Sequence, residues 1–180
     1  TASVVRACLA TNLIGPNKLT KLYYIGPMFR YERPQAGRLR QFHQAGIEVF
    51  GSANPLIDVE VIELGVRLFE ELGLKDLEVD INSVGCKDCK PVFRSKLKAY
   101  FKDVIKKMCK DCQERFEYNP LRILDCKNEV CQKYIEKAPA SLDSLCLECK
   151  TNFERIIEYL KAYDIRYKIN SRLVRGLDYY

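Results

Sequence analysis

The sequence predicts an α+β fold, a partial antiparallel sheet interrupted by a helical, cysteine-rich insertion. Three observations predict it. Two β-rich runs, "KLYYIGPMFRYE" over 21–32 and "QFHQAGIEVF" over 41–50, flank a Pro-Gln-Ala-Gly turn, which is the pattern of a hairpin with a medium loop. At Cys86 the strand alternation gives way to helical spacing, and eight of the nine cysteines follow within 64 residues. At 165–176, "IRYKINSRLVRG" returns to a strand pattern.

Taken in order, 4–13 reads as the end of a helix. The hairpin comes next, with strands over 21–32 and 41–50. Residues 57–72 have amphipathic spacing and stop at Gly73, a good residue just past a helix end. "LEVDINSVG" alternates Leu77, Val79 and Ile81 against Glu78, Asp80 and Asn82, a third strand. Residues 91–108 place Phe93, Leu97, Tyr100, Phe101, Val104, Ile105 and Met108 on one side of a helix. "NPLRILDC" is expected as a short extended piece, followed by helices over 130–137 and 143–163. The expected domains are a catalytic-type core over 1–84, an insertion over 85–165 and a return strand over 166–180.

Composition fits a soluble chain of one or two domains. No apolar run could cross a bilayer and no export signal opens the chain, so the expectations are no membrane association and a cytoplasmic location. The abrupt start at "TASVVRA" and end at "RGLDYY" predict a piece of a longer protein. Net charge is +6, but it is unevenly distributed: residues 1–57 carry seven Lys/Arg against two Asp/Glu, 58–84 carry two against eight, and 85–137 carry fourteen against eight. Two basic regions separated by an acidic helix suggest anionic partners, but charge alone favours the simpler reading of an ordinary basic protein with solvated faces.

The hairpin poses the sharpest question. Arg30, Arg33, Arg38 and Arg40 gather around one turn, and the strand that follows keeps Gln44 and Glu48. Alternation puts Tyr24, Gly26, Met28, Arg30 and Glu32 on one face of the first strand, and Phe42, Gln44, Gly46, Glu48 and Phe50 on one face of the second. If these faces coincide, a single surface carries Arg30, Glu32, Phe42, Gln44 and Glu48, with Gly26 and Gly46 leaving room above it. Gln44 and Glu48 stand about 13 Å apart along the strand. A small molecule with two polar ends fits such a floor, and the loop arginines suit phosphate. His43 falls on the opposite face and reads as structural. Cys8 reads as a small buried residue.

The cysteines form four close pairs. Cys86-Lys-Asp-Cys89, Cys109-Lys-Asp-Cys112 and Cys146-Leu-Glu-Cys149 are CxxC turns, and Cys126 and Cys131 enclose four residues. A CxxC turn aims two thiolates at one point, and two such turns complete a tetrahedral zinc site. The expected role is structural, because a small insertion has little core of its own. Two partitions are open: one Zn2+ on Cys86, Cys89, Cys109 and Cys112 with a second on Cys126, Cys131, Cys146 and Cys149, or a single Zn2+ held by two pairs. Arg94, Lys98, Lys102 and Lys106, four residues apart, are expected to make one basic ridge on the insertion's first helix.

Several of these stretches resemble a known family. "YYIGPMFRYERPQAGRLRQFHQAGIEVFG" looks like motif 2 of the class II aminoacyl-tRNA synthetases in its histidyl-tRNA synthetase form. "LVRGLDYY" resembles that family's histidine-specific signature, "TASVVRA" the threonine-containing segment before motif 2, and "NPLRILDCKN" a stretch of its insertion domain. The resemblance covers the whole chain and implies a class II synthetase-type sheet. It also implies a two-step reaction, in which histidine is activated by ATP with Mg2+ and then transferred to histidine tRNA, in an enzyme that is a homodimer at full length. The adenylation nucleophile is already ionised at neutral pH, so catalysis is positioning and charge stabilisation at phosphorus.

By resemblance, Arg30 grips the α-phosphate and the substrate carboxylate, and Arg175 sits opposite it. Glu32 accepts from the adenine amino group, Phe42 stacks on adenine, and Arg38 reaches the γ-phosphate. Gln44 holds the histidine amino group with Thr1. Glu48 and Tyr180 flank the imidazole, with Tyr179 a weaker contact, while Asp178 supports the loop. The resemblance places motif 1 before Thr1, and motif 3 and an anticodon-binding domain after Tyr180, so the chain alone is expected to be inactive. Tyr31 stands where the family often has histidine. Two other functions compete: a zinc-stabilised tRNA-binding module, and the regulatory paralogue of ATP phosphoribosyltransferase, in which the histidine signature and the insertion would be eroded.

Overall fold

A computed structural model describes all residues except 1, 16, 17, 32, 34 and 175–180. The chain divides into two compact units, 1–62 and 63–180.

The first unit opens with helix α1 (Ala2–Ala10), which buries Cys8. Strands β1 (Thr20–Phe29) and β2 (Gln41–Phe50) then pair antiparallel in unbroken register, from Thr20↔Phe50 to Phe29↔Gln41. Beyond the strands the Arg30 N–H donates to the Arg40 carbonyl at 2.9 Å, and Gln35 and Arg38 bridge across the tip. Among the described residues of this unit Thr20 is the buried polar one, and its hydroxyl donates to the Leu13 carbonyl at 3.2 Å. Helix α2 (Pro55–Glu71) follows, and the division between the units falls within it. It ends as its glycine predicts. Gly73 has φ +85°, its N–H donates to Glu70 O, and Leu74 N–H reaches back to Phe69 O, so two of the last carbonyls are satisfied.

The second unit differs from expectation in four places. The third strand, β3 (Val79–Ile81), pairs with β4 (Tyr167–Ile169), but the pairing is parallel and each strand has three residues. A parallel pair needs a crossover connection, and the whole insertion serves as that crossover. Second, "NPLRILDC" is not extended: Pro120–Asp125 is a 3-10 helix with proline in its first turn, where the missing N–H costs nothing. Third, Lys110–Tyr118 forms a helix, α4, from a nine-residue, mostly polar stretch that shows no apolar stripe. Fourth, the first insertion helix, α3 (Cys89–Lys102), stops before Lys106, which lies in a separate 3-10 turn, Ile105–Lys107. The proposed four-residue ridge is therefore Arg94, Lys98 and Lys102 alone.

Two of those cations do structural work. Arg94 Nη2 donates to Tyr118 O at 2.8 Å and Lys98 Nζ to Glu117 O at 3.5 Å, so they satisfy carbonyls at the end of α4. The remaining helices are α5 (Glu129–Ile135), capped by Asn128 Oδ1 accepting from Val130 N–H, and α6 (Leu147–Ala162), which follows a 3-10 turn at Ser141–Ser144. Phe93, Leu97 and Phe101, one helical turn apart on α3, are at most 1% exposed and pack with Met108, Ile123, Leu124 and Ile135. Burying a side chain of this size stabilises by about 1.5–3 kcal/mol. The buried Ser141 hydroxyl donates to Asn82 Oδ1, and Asn82 Nδ2 donates to Leu173 O, so these polar groups of the unit are paired.

Candidate active-site face and two four-cysteine centres

The hairpin register brings together the residues that alternation grouped. Tyr24 faces Gly46, Gly26 faces Gln44, Met28 faces Phe42 and Leu22 faces Glu48. Arg30, Phe42, Gln44 and Glu48 thus share one side of the sheet. Along β1, residues of that side are half-buried while Tyr23, Ile25 and Phe29 of the other side are exposed. His43 pairs with Pro27 on the exposed side. The Arg30 guanidinium lies 4.5 Å from the centre of the Phe42 ring, a cation–π contact that fixes a planar donor beside a flat apolar face. Arg30 Nε also donates to Leu39 O at 3.1 Å, which ties the loop to the arginine.

Alternation places Tyr24 on this face, but its contact there was not visible in the sequence. Gln44 Nε2 donates to the Tyr24 hydroxyl at 2.8 Å, and a Cβ at Gly46 would overlap the Tyr24 ring. The expectation that Gly46 leaves open room is therefore corrected, because its missing side chain makes space for Tyr24. Gly26 does have open space above it. The signal for Tyr24 was its cross-strand pairing with a glycine, which alternation alone does not supply. Arg38 sits at the loop tip, bridged to Gln35. Thr1, Glu32, Arg175, Tyr179 and Tyr180, along with Asp178, lie outside the described residues.

Eight cysteines converge on two centres, with a pairing that the expected two-ion partition does not contain and that the single-ion alternative left unnamed. The outer centre joins the first and last pairs, Cys86, Cys89, Cys146 and Cys149, and the inner one joins Cys109, Cys112, Cys126 and Cys131. The pairing is nested because the insertion folds back on itself. α3 begins at Cys89, and Cys146 is the residue that precedes α6, so the two helix starts meet; spacing along the chain carries no information about that return. In each centre the four sulfurs lie within 4.8 Å of one another. Cys86 and Cys89 sulfurs are 3.6 Å apart, and those of Cys109 and Cys126 are 3.8 Å apart. Four thiolates around one ion at a bond length of about 2.3 Å stand about 3.8 Å apart at tetrahedral angles.

Backbone donors already point at these sulfurs. Cys146 N–H donates to Cys89 Sγ at 3.1 Å, Asp88 N–H to Cys86 Sγ at 3.4 Å, and Cys109 N–H to Cys131 Sγ at 3.3 Å. Cys89, Cys109 and Cys146 stand at or just before the first turns of α3, α4 and α6, where the helix end favours a thiolate. Gly85, with φ +73°, lies against Cys89, whose Cβ and Sγ fill the place of any side chain there. The Gln132 side-chain amide donates to Cys126 O, and Gln113 Nε2 donates to Met108 O, which hold the inner loops in place.

The thiols of each centre are driven apart in acidity. The Cys146 N–H lowers Cys89 to about 7, whereas burial pushes Cys149 up to about 12. In the inner centre burial raises Cys112 and Cys131, while at Cys109 the effect of burial is outweighed by backbone and thiol hydrogen bonds that lower it. Crowded thiols cannot all ionise together without a neutralising charge, and a bound divalent cation supplies that charge. Both centres fit a thiophilic ion on distance, donor type and orientation.

An aromatic and arginine face on an antiparallel hairpin, with an insertion downstream between β3 and β4, fits the class II synthetase-type fold that the solved structure below shows. Residues 1–89 match the family model described as histidyl-tRNA synthetase. The whole chain is 54% identical to a histidine–tRNA ligase of Desulforamulus reducens and 56% identical to one of Desulfitobacterium hafniense, covering 43% and 42% of those proteins. It is also similar to the crystal structure of apo histidyl-tRNA synthetase from S. aureus, with a TM-score of 0.74 and 38% identity, over 100% of this chain and 42% of that one. The chain belongs to the histidyl-tRNA synthetase family, and it spans about two-fifths of the length of the relatives it matches. Among the described residues no helix is long and apolar enough to cross a membrane.

Proposed function

We propose that this chain supplies part of the ATP- and histidine-binding core, together with a zinc-bearing insertion, of an enzyme that forms histidyl-adenylate and charges histidine tRNA. The observation that carries the reading is the unbroken register that puts Arg30, Phe42, Gln44 and Glu48 on one face. On that face Phe42 offers a surface for the adenine ring, with Glu32 accepting from its amino group. Arg30 stands beside the ring, placed to bond the α-phosphate and the histidine carboxylate together. It thereby aligns the carboxylate oxygen with phosphorus as pyrophosphate leaves on the opposite side. Arg38 meets the γ-phosphate, and Mg2+ bound with ATP neutralises phosphate charge. Gln44, steadied by Tyr24, accepts from the histidine amino group with Thr1. Glu48 pairs with the imidazole, and Arg175, Tyr179 and Tyr180 complete the pocket.

The outer and inner centres each hold one Zn2+ by four cysteines. No position is left open for water or substrate, so the role is structural. In this reading residues 1–84 and 166–180 belong to the core and 85–165 to the insertion, and the full-length protein is a cytoplasmic homodimer. Histidine-dependent pyrophosphate exchange by the full-length protein tests the function: near-normal exchange by Arg30→Ala removes the assigned role. Elemental analysis of protein purified without added metal tests the zinc, with two equivalents expected and none refuting it.

A further inference from the structure

The two centres have the same ligands but very different surroundings. In the inner one, Cys112 and Cys131 are 0% exposed and Cys126 is 6% exposed; these three sit in the apolar cluster with Phe93, Phe101, Ile123 and Ile135, and half-buried Cys109 packs against it. In the outer one, Cys146 is exposed, Cys86 and Cys149 are half-buried and Cys89 alone is buried, and none of the four belongs to that cluster. Three of the four inner sulfurs can be reached only by opening the core of the insertion. An outer sulfur can be reached from solvent with the fold intact.

The spans also differ. Cys89 and Cys146 are 57 residues apart, whereas Cys112 and Cys126 are 14 apart. Once a ligand pair has let go, the chance of return falls with span as the three-halves power of loop length, which disfavours reclosure of the outer centre by about eightfold. This comparison applies when the chain between the pairs is loose. When the inner lobe is folded the factor shrinks, and exposure alone sets the order.

We propose that the two centres form a hierarchy: the outer is an exchangeable site for a thiophilic divalent cation, and the inner is a permanent staple. This rests on the zinc reading above. Loss of the outer ion frees Cys86, Cys89, Cys146 and Cys149 at the root of the insertion, while α3, α4 and α5 stay folded around the inner ion. The outer site is then the point at which metal supply, or a competing soft cation, acts on the protein.

The test uses the zinc-loaded full-length protein with excess EDTA, following free zinc over time. One equivalent should leave at least tenfold faster than the other. N-ethylmaleimide added after the fast phase, followed by peptide mass mapping, should label Cys86, Cys89, Cys146 and Cys149 and spare Cys109, Cys112, Cys126 and Cys131. Release of both equivalents in one phase, or labelling of the inner four first or together with the outer four, overturns the hierarchy and leaves two zinc sites standing. Protein that holds no zinc and takes up none overturns the metal reading itself, and the hierarchy with it. Cys146→Ser should abolish the fast phase and keep the slow one, and loss of the slow phase from folded variant would count against the proposal.

Discussion

The hairpin and the insertion are stabilised by different means. On β1 the side away from Arg30 leaves Tyr23, Ile25 and Phe29 between 73% and 80% exposed. The insertion seals Phe93, Leu97, Phe101 and Ile123 to 1% or less and adds two four-cysteine centres. A two-stranded ribbon is marginal alone, so the hairpin is a template whose value lies in register. The insertion carries its own core and two clusters of cysteines. Chemistry on the first depends on where side chains point, and integrity of the second depends on what it encloses.

Metal removal should break the comparison most sharply. Stripping both ions from the full-length protein is expected to unfold the insertion, since structural zinc contributes on the order of 10 kcal/mol in small domains. Far-UV circular dichroism should show a loss of helix that zinc restores. Next in size, Phe101→Ala empties a site in the insertion core and should cost about 3–5 kcal/mol in denaturant unfolding, with histidine and ATP affinities close to normal at temperatures where the protein stays folded.

The hairpin should respond the other way round. Arg30→Ala is expected to slow histidine-dependent pyrophosphate exchange by a factor of 100 or more, about 3 kcal/mol of transition-state stabilisation, with the insertion melting as before. Glu48→Gln should raise the KM for histidine more than that for ATP, because a polar partner is left unsatisfied in the amino-acid pocket; an effect on ATP alone would mean the pocket is misassigned. The smallest effect is expected from Arg94→Ala. It removes a donor from the end of α4 and should cost about 1 kcal/mol of stability, and a change in tRNA KM without loss of stability would show that the residue meets RNA instead.

Legibility followed the same divide. Alternation reads the hairpin well, because the side-chain period of a strand is two and a correct register fixes every face at once. Arg30, Phe42, Gln44 and Glu48 were visible together for that reason. Tyr24 shares that face, but its bond to Gln44 was not legible, since it depends on the glycine across from it. In the insertion, CxxC spacing announced converging thiols but not their partnership: Cys86–Cys89 meets Cys146–Cys149 only because the chain turns back, a long-range fact. The 3-10 helix at Pro120–Asp125 and the polar helix Lys110–Tyr118 were hidden for another reason. Their stability comes from tertiary contacts, such as Arg94 and Lys98 on the α4 carbonyls, and not from local propensity.

The parallel pairing of β3 with β4 has a consequence for the order of events during synthesis. Val79 must wait for Tyr167, eighty-eight residues later; at about 5–20 residues per second, that is a delay of roughly 4 to 18 s. Cys86 and Cys89 emerge early in this interval but find their partners only near its end. Cys109, Cys112, Cys126 and Cys131 emerge entirely within it. All four inner cysteines are therefore available to one another while the ribosome is still extending toward the last two of the outer set. The strand pair forms last, once both ends of the insertion have been delivered to the same place.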